Sequence, residues 1–536
     1  MSVIESARAW LAQDPDSKTR AELEKLIEAN DLPALEERFS QLIQFGTAGL
    51  RGELGAGPKR MNRIVVSYAA LAIARFLKQE RQAYQDENGE LSVVVGCDGR
   101  ENSAIFARDT AEILSANGCV AMLFDQPVAT PVAAFTGKRL GASATIVVTA
   151  SHNPPRDNGY KVYLGGKNGG SQLISPQDKQ IAALISEVAQ NETFASIKHS
   201  DQFQPLTKAD IQKYVERSLE LVPKTNSHRS NLAITHTALH GVGWLVVEKI
   251  FNAAGFKISP VLAQRDPDST FPTVVFPNPE EAGAMDLAFE QAGRNKSDLI
   301  IANDPDADRL AVAVPTVLGW QMLTGDQVGL ILADYVAQKV KSGTIANSVV
   351  SANIGTVAEY YKLSYEQTLT GFKWISKVPN LTYGYEEALG YCVDPSHTPD
   401  KDGITSALLI AELAADLKAE GKSLLDRLNE LSEKFGKIST GQVSIRVQDL
   451  AVIEKIMQKV RMNPPKAFDG DLEFIDLATS ETLRTDAVII ENEKVRMIFR
   501  PSGTEPKLKC YLQYNGSEAD LSRLKDFASS YLAASQ

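Results

Sequence analysis

The sequence predicts an α/β protein: three similar α/β units with largely parallel, mixed sheets, followed by a C-terminal α+β domain. Three observations carry that expectation. Short uncharged runs rich in Val and Ile alternate with stretches of helical spacing, the alternation occurs three times in succession, and beyond about residue 438 it gives way to a different pattern. Alternation with short connections marks units in which parallel strands are joined by crossing helices.

The N-terminal stretch Met1–Glu28 is charged and helical in spacing. The first unit then reads as strand Leu91–Asp98, helix Ser103–Leu114, strand Cys119–Phe124, helix Thr130–Leu140 and strand Ala144–Thr149. That last strand, Ala-Thr-Ile-Val-Val-Thr, is uncharged and β-branched, as a strand covered on both faces should be. The second unit reads as strand Leu232–Thr235, helix Gly243–Ala254, strand Phe256–Leu262, helix Pro279–Ala292 and strand Asp298–Ala302. A more compact third copy has strand Ser348–Ala352, helix Thr356–Tyr361, strand Ser364–Leu369 and helical Gly371–Val378, and ends in Leu381–Gly390. Each unit closes on a polar loop, and open α/β sheets bind ligands beyond the carboxyl ends of their strands. Helices Gly403–Leu417 and Leu424–Phe435 lead to a strand at Gly441–Val447. Domains are expected at residues 1–205, 206–316, 317–438 and 439–536, with a polar linker around Glu433–Thr440 suited to a hinge.

A chain of 536 residues, 43% of them hydrophobic, can fill several cores. At roughly 150 residues per domain that means three or four. A formal net charge of −11 argues against a nucleic acid or an acidic membrane held by bulk electrostatics. An anionic substrate would therefore need basic residues gathered locally. The four cysteines, Cys97, Cys119, Cys392 and Cys510, lie far apart with no CxxC pair. Neither a zinc knuckle nor a disulfide framework is expected, in keeping with a reducing compartment. No uncharged apolar run approaches about 18 residues, so a soluble, cytoplasmic protein is expected.

Four polar clusters carry the chemistry. Thr149-Ala-Ser-His-Asn-Pro-Pro-Arg-Asp-Asn-Gly-Tyr-Lys161 follows a buried strand, and Pro154-Pro155 bars a helix, so Ser151 sits on a stiff loop. The competing reading is an ordinary polar turn. Asp304-Pro-Asp-Ala-Asp308 places carboxylates at alternate positions, three hard oxygens that select a cation such as magnesium. An EF-hand is excluded because Arg309 stands where glycine is needed and Pro315 where the bidentate glutamate is needed. A solvated acidic turn remains the alternative. Arg500-Pro-Ser-Gly-Thr-Glu-Pro-Lys507 offers a guanidinium fork, two hydroxyls, a glycine and a point charge for a phosphate dianion. Thr47-Ala-Gly-Leu-Arg51 is a weaker signal of the same kind, and Gly165–Gly170 lacks the ending of a P-loop and reads as a flexible turn. Together the clusters suggest a phosphoserine coordinated to magnesium and a phosphorylated substrate. Arg51, Lys161, Arg309, Lys373, Lys401, Arg500 and Lys507 are available to offset the charge.

On these motifs, from Phe45-Gly-Thr-Ala-Gly-Leu-Arg51 to Arg500-Pro-Ser-Gly-Thr504, the chain resembles the α-D-phosphohexomutase superfamily, in the branch of the phosphoglucomutases and phosphopentomutases. The resemblance implies a heart-shaped, four-domain molecule in which each domain gives one loop to a central cleft. It implies that Ser151 carries the phosphoryl group and that Asp304, Asp306 and Asp308 hold Mg2+ with it. Lys161 and Arg51 would flank the transferring group, and Lys401 would donate or accept a proton. Arg500, Ser502, Gly503, Thr504 and Lys507 would grip the phosphate not being transferred. Thr47, Arg309, Thr370, Gly371, Lys373 and Glu386 would also meet the substrate. The implied reaction interconverts a sugar 1-phosphate and 6-phosphate, foremost those of glucose. A bisphosphate such as glucose 1,6-bisphosphate would serve as intermediate and activator.

The sugar loop departs from the hexose pattern Gly-Glu-x-Ser-Gly. It reads Tyr385-Glu-Glu-Ala-Leu-Gly390, with Glu386 kept and Ala388 in place of the serine. Because a missing polar contact shifts selectivity strongly, a pentose or mannose substrate stays open. His152 is tempting as a base for Ser151, but on an extended loop neighbouring side chains point apart, which favours a structural hydrogen bond. A metal-dependent sugar phosphatase could use the same groups. A non-catalytic sensor would not need Ser151 and Lys401 together. The expected partner is a small phosphosugar, with no nucleic acid or membrane, in a monomer or dimer.

Overall fold

A computed structural model describes residues 2–46, 49–447, 450–501 and 507–533. The chain forms two compact units, one of Met1–Leu323 with Leu389–Gly421 and one of Thr324–Ala388 with Lys422–Gln536.

The first unit holds two sheets. In one, the strands lie in the order Leu50–Glu53, Asp157–Leu164, Ala144–Val148, Ser92–Cys97, Val120–Phe124, Gln204–Leu206, with Ser171–Gln172 beside Asp157–Leu164. The four from Ala144–Val148 onward are parallel. Asp157–Leu164 runs antiparallel to Ala144–Val148, with Lys161 opposite Val147. This corrects the expectation of a polar loop reaching Lys161: the loop ends at Arg156 and the chain returns along the strand it left. Asp-Asn-Gly looks like a turn in the sequence, yet the Asn158 amide is satisfied inside, donating to the Glu101 carbonyl at 2.8 Å and to Ser103 Oγ at 3.0 Å. The helix Arg63–Gln79 is buried on nearly all sides and packs against helices Ser103–Ala116 and Gln177–Asn191. Such an all-round apolar helix belongs to a core.

The second sheet has the order Gly319–Met322, Ala311–Thr316, Leu299–Ala302, Ala233–Thr237, Lys257–Pro260. Its last three strands are parallel, and the first two form an antiparallel hairpin that the sequence reading did not anticipate. The helix expected from Pro279 begins at Asp286, because residues 279–285 are turns and Gly283 has φ 83°, outside helical space. The segment Leu389–Gly421, with its helix Gly403–Ala419, is tied into this unit by buried polar contacts. Arg229 Nε donates to Glu412 Oε2 at 2.6 Å, and Arg217 donates to both oxygens of Asp394 at 2.7 and 3.0 Å. The Tyr163 and Tyr214 hydroxyls donate to Asp400 and Asp402 at 2.7 and 2.8 Å. Among these the Arg229–Glu412 ion pair is fully buried, and removing one partner would strand the other charge at a cost of about 3–5 kcal/mol.

In the second unit, Ser364–Thr368, Thr344–Ser348 and Leu381–Glu386 form parallel pairs around the central Thr344–Ser348. The sequence predicts this strand at Ser348–Ala352. Val349 and Val350 instead leave the sheet and pack with Leu477, Ala487, Ile489, Ile498 and Tyr511, so their apolar character serves a second core. Helical Gly371–Val378 reduces to one turn, Phe372–Ile375, after Gly371 at φ 117°. The C-terminal part is an antiparallel sheet in the order Ser439–Arg446, Lys507–Tyr514, Val495–Pro501, Val488–Glu491, Glu473–Asp476, with helices Leu450–Met462 and Glu518–Ala533. The architecture is therefore the expected one, α/β with mixed sheets and an α+β end. Among the described residues, no helix is long and apolar enough to cross a membrane.

Candidate active site

Ser151 follows the buried strand Ala144–Val148 and is itself buried, with φ 51° in the left-handed region. A non-glycine residue there is strained by about 1–2 kcal/mol. Its Oγ donates to Asp304 Oδ2 at 2.7 Å, and its N–H donates to Thr149 Oγ1 at 2.9 Å. The left-handed turn also brings His152 Nδ1 to 3.2 Å from Ser151 Oγ. That corrects the expectation of divergent neighbours, which assumed an extended backbone. Burial, then Arg309 and Arg51, push the His152 imidazole well below its usual range.

The loop Asp304–Asp308 follows the strand Leu299–Ala302, and all three of its carboxylates are buried. It sits against the turn at Gly241, where a Cβ would lie 2.3 Å from Pro305, and against Gly403, where a Cβ would lie 2.1 Å from the Arg309 carbonyl oxygen. Asn303 anchors its start, donating to the Arg309 carbonyl at 2.7 Å while its Oδ1 lies 2.9 Å from His236 Nε2. Lys161 Nζ donates to Asp306 Oδ2 at 2.6 Å and to Asp308 Oδ2 at 2.8 Å. Lys401 Nζ lies 3.4 Å from Asp308 Oδ2, and Thr130 Oγ1 donates to Asp306 Oδ2. Burial, then Asp306 and Asp308, push Asp304 up to about 8. Asp308 behaves oppositely: burial would raise it, but Lys161, Lys401 and Arg309 hold it well below the carboxylate range.

The triad passes a direct test for a metal. Its ligand oxygens lie within 4.8 Å of one another, and Asp306 Oδ1 and Asp308 Oδ1 are buried without a hydrogen-bond partner among the described residues. A buried acceptor left unmet costs about 1–3 kcal/mol, and hard oxygens suit a hard cation. Arg51 reaches the Ser151 loop, its Nη1 donating to Asn153 Oδ1 at 3.1 Å. Ser151, Asp304, Asp306, Asp308, Lys161, Lys401, Arg51 and Arg309 thus all belong to the first unit.

Thr370, Gly371, Lys373, Glu386, Arg500 and Lys507 belong to the second unit. There Glu386 Oε1 accepts the Gly371 N–H at 2.6 Å, and Ser348 Oγ donates to Thr370 Oγ1 at 3.3 Å. Arg500 hydrogen-bonds Tyr511 on the adjacent strand, whose hydroxyl is raised first by burial and then by Glu387. Thr47, Ser502, Gly503 and Thr504 lie outside the described residues.

Two further charged residues belong to these surroundings without a clear signal in the sequence. Glu387, next to Glu386, accepts Ser351 Oγ at 2.7 Å, and burial, then Glu386 and Asp326, push it up to about 7. Arg100, buried beside the Ser151 loop, had no signal beyond the tripeptide Asp98-Gly-Arg100 at a strand end.

A serine donating into a three-carboxylate pocket, with two lysines on the same carboxylates, equips an α/β protein for metal-assisted phosphoryl transfer. Models of the phosphoglucomutase/phosphomannomutase domains match in succession: α/β/α domain I over residues 42–192, domain II over 212–319, domain III over 324–435 and the C-terminal domain over 443–529. The chain is 45% identical to a "probable phosphomannomutase" of Haemophilus influenzae over 85% of this chain and 94% of that protein. It is 33% identical to a phosphoribomutase of Saccharomyces cerevisiae over 95% of this chain and 92% of that protein. In fold it matches the crystal structure of a phosphoglucomutase/phosphomannomutase family protein from Burkholderia thailandensis, with TM-score 0.71 and 21% identity, over 92% of this chain and 97% of the other. The chain belongs to the phosphoglucomutase/phosphomannomutase family of the α-D-phosphohexomutase superfamily. It is a phosphomutase, an isomerase of the phosphotransferase type.

Proposed function

We propose that the chain interconverts the 1-phosphate and 6-phosphate of a hexose, glucose foremost, through a phosphoserine at residue 151 and a sugar bisphosphate. The observation that carries this reading is the 2.7 Å contact between Ser151 Oγ and Asp304, which joins the phosphoryl-carrying candidate to the carboxylate triad. In the forward half-reaction the bond from Ser151 Oγ to phosphorus breaks as a bond from phosphorus to a sugar oxygen forms. Lys401, uncharged at that moment, takes the hydroxyl proton of the sugar, and Ser151 Oγ leaves as an alkoxide whose charge Mg2+ would offset. When the bisphosphate, turned end for end, hands its other phosphoryl group to that alkoxide, Lys401 returns the proton to the released sugar oxygen. Asp304, Asp306 and Asp308 would hold Mg2+, which supplies charge stabilisation for the transferring group. Lys161 fixes Asp306 and Asp308 and presents positive charge to the same region, and Arg51 shares that role. Arg500, with Ser502, Gly503, Thr504 and Lys507, is assigned to the distal phosphate, which a guanidinium fork recognises whichever carbon bears it. Glu386 with Thr370, Gly371 and Lys373 is assigned to the sugar, and Thr47 and Arg309 to the phosphoryl end.

A phosphopentomutase reading has its own support in Ala388, which lacks the hydroxyl of the hexose loop, and in the yeast relative named for a pentose. Values of kcat/KM for glucose 1-phosphate, mannose 1-phosphate and ribose 1-phosphate decide between them, and a preference of about 100-fold for ribose would replace the hexose assignment. Ser151→Ala is expected to lower transfer by about 1,000-fold or more with the fold intact. Peptide mapping by mass spectrometry should place the enzyme-bound phosphate on Ser151, and phosphate found reproducibly elsewhere would overturn the assignment.

A further inference from the structure

We propose that Arg100 is a positioning residue for phosphoryl transfer, holding Ser151 in its left-handed backbone by clamping the peptide group on its carbonyl side and the loop that follows. The inference rests on Ser151 as the phosphoryl carrier. The Arg100 guanidinium is buried and donates to four main-chain carbonyls, three in the Ser151 loop and one at the first residue of the strand that follows it. These are Ser151 O and Asn153 O through Nη2, and Pro154 O at 2.8 Å and Asp157 O at 3.1 Å through Nη1. No side-chain oxygen of that loop takes part. A planar fork that meets four carbonyls in different directions fixes the path of the loop, which a single ammonium could not do.

The clamp has a second arm. Asp98 Oδ2 accepts Thr149 Oγ1 at 2.7 Å, and the same Thr149 oxygen accepts the Ser151 N–H at 2.9 Å. Asp98 is itself fixed by the Arg100 N–H at 3.0 Å and by Ser103 Oγ at 2.7 Å, and Arg100 Nε lies 3.4 Å from Asp98 Oδ2. The far face of the guanidinium is closed by Phe271, 4.9 Å from Cζ to the ring centroid. The residues after the strand Ser92–Cys97 therefore hold Ser151 from its amide side through Thr149 and from its carbonyl side through Arg100. Without both arms, the strain at φ 51° would relax and Oγ would leave Asp304. A displacement of about 1 Å at a reacting atom can cost about 100-fold in rate.

The test uses Arg100→Lys, which keeps the charge and loses the fork, beside Thr149→Val, which cuts the other arm, and Ser151→Ala as reference. In the single-turnover transfer from glucose 1,6-bisphosphate to dephosphorylated enzyme, Arg100→Lys should be slowed about 100-fold and Thr149→Val about 10-fold. Rates are taken per folded molecule by circular dichroism, and KM should stay within about twofold. Arg100→Ala should regain part of its rate on addition of methylguanidinium. An Arg100→Lys rate within about threefold of the native enzyme, or a loss seen only in KM, overturns the proposal while Ser151→Ala remains inactive. Full activity of Ser151→Ala would instead bring down the phosphoserine reading, and this inference with it.

Discussion

Lys161 divides the oxygens of Asp306 and Asp308 into two sets, taking one Oδ2 from each and leaving each Oδ1 without a protein donor among the described residues. Asp306→Asn keeps the shape of the side chain but removes charge from the open set, so the Mg2+ concentration for half-maximal activity should rise by about 10-fold or more. A magnesium titration of activity, with calorimetry of Mg2+ binding, checks this. Glu387 gives a separate prediction in the second unit. Burial, then Glu386 and Asp326, raise it from the ordinary glutamate value of 4.5 to about 7. Between those values the folded chain keeps a proton that the unfolded chain has released, so stability falls as pH rises from about 4.5 to about 7 and levels off above. Glu387→Gln removes that slope, and its unfolding midpoint should exceed the native one by about 2–4 °C at pH 8 and match it near pH 5, as scanning calorimetry would show. At this scale the sequence was legible where polar residues follow a buried strand: Ser151 and the three aspartates stand out, and the structure brings Ser151 Oγ to 2.7 Å from Asp304 and the three carboxylates within 4.8 Å of one another. Arg100 was not legible because its partners are main-chain carbonyls, which no residue type announces. His152 was misjudged because the backbone at Ser151 is left-handed.

The elements that carry these residues are joined by close approaches. Gly403 starts the helix Gly403–Ala419, and a Cβ there would fall 2.1 Å from the Arg309 carbonyl oxygen and 2.8 Å from Asn303 Nδ2. The helix cannot retreat easily, since Asp402 caps it through the N–H groups of Ile404 and Thr405 and is held by Tyr214. Gly403→Ala should therefore push the acidic loop, lowering stability by about 1–3 kcal/mol and kcat more than KM. Denaturant unfolding and steady-state kinetics measure the two effects. Strands rich in Val and Ile, such as Ser92–Cys97 and Ala144–Val148, could be read from composition because they are buried at every position. The strand Asp157–Leu164 could not, because its polar opening is satisfied by distant partners. Val349-Val350 misled for the opposite reason, being an apolar pair that belongs to a core outside its own sheet.

Across the whole molecule, four matched domains gather into two compact units, and the third domain is shared between them. Alternation along the chain made the α/β repeat visible, but the placing of Leu389–Gly421 in the first unit depends on pairs such as Arg229 with Glu412, far apart in sequence. In the second unit Val349 and Val350 join the central parallel strand to the C-terminal sheet. Val349→Ala should loosen that joint by about 2 kcal/mol and speed amide exchange in Val488–Glu491, leaving Ala144–Val148 unchanged. Hydrogen–deuterium exchange read by mass spectrometry would show it. The interrupted course of the first unit also sets an order of events during synthesis. When Leu323 leaves the ribosome, Arg229 is still without Glu412 and the acidic loop without Gly403, and neither arrives until the intervening Thr324–Ala388 has been made. The larger unit, which begins first, is completed late, and a nascent chain stalled before residue 389 would leave Arg229 without the carboxylate that neutralises it in the folded protein.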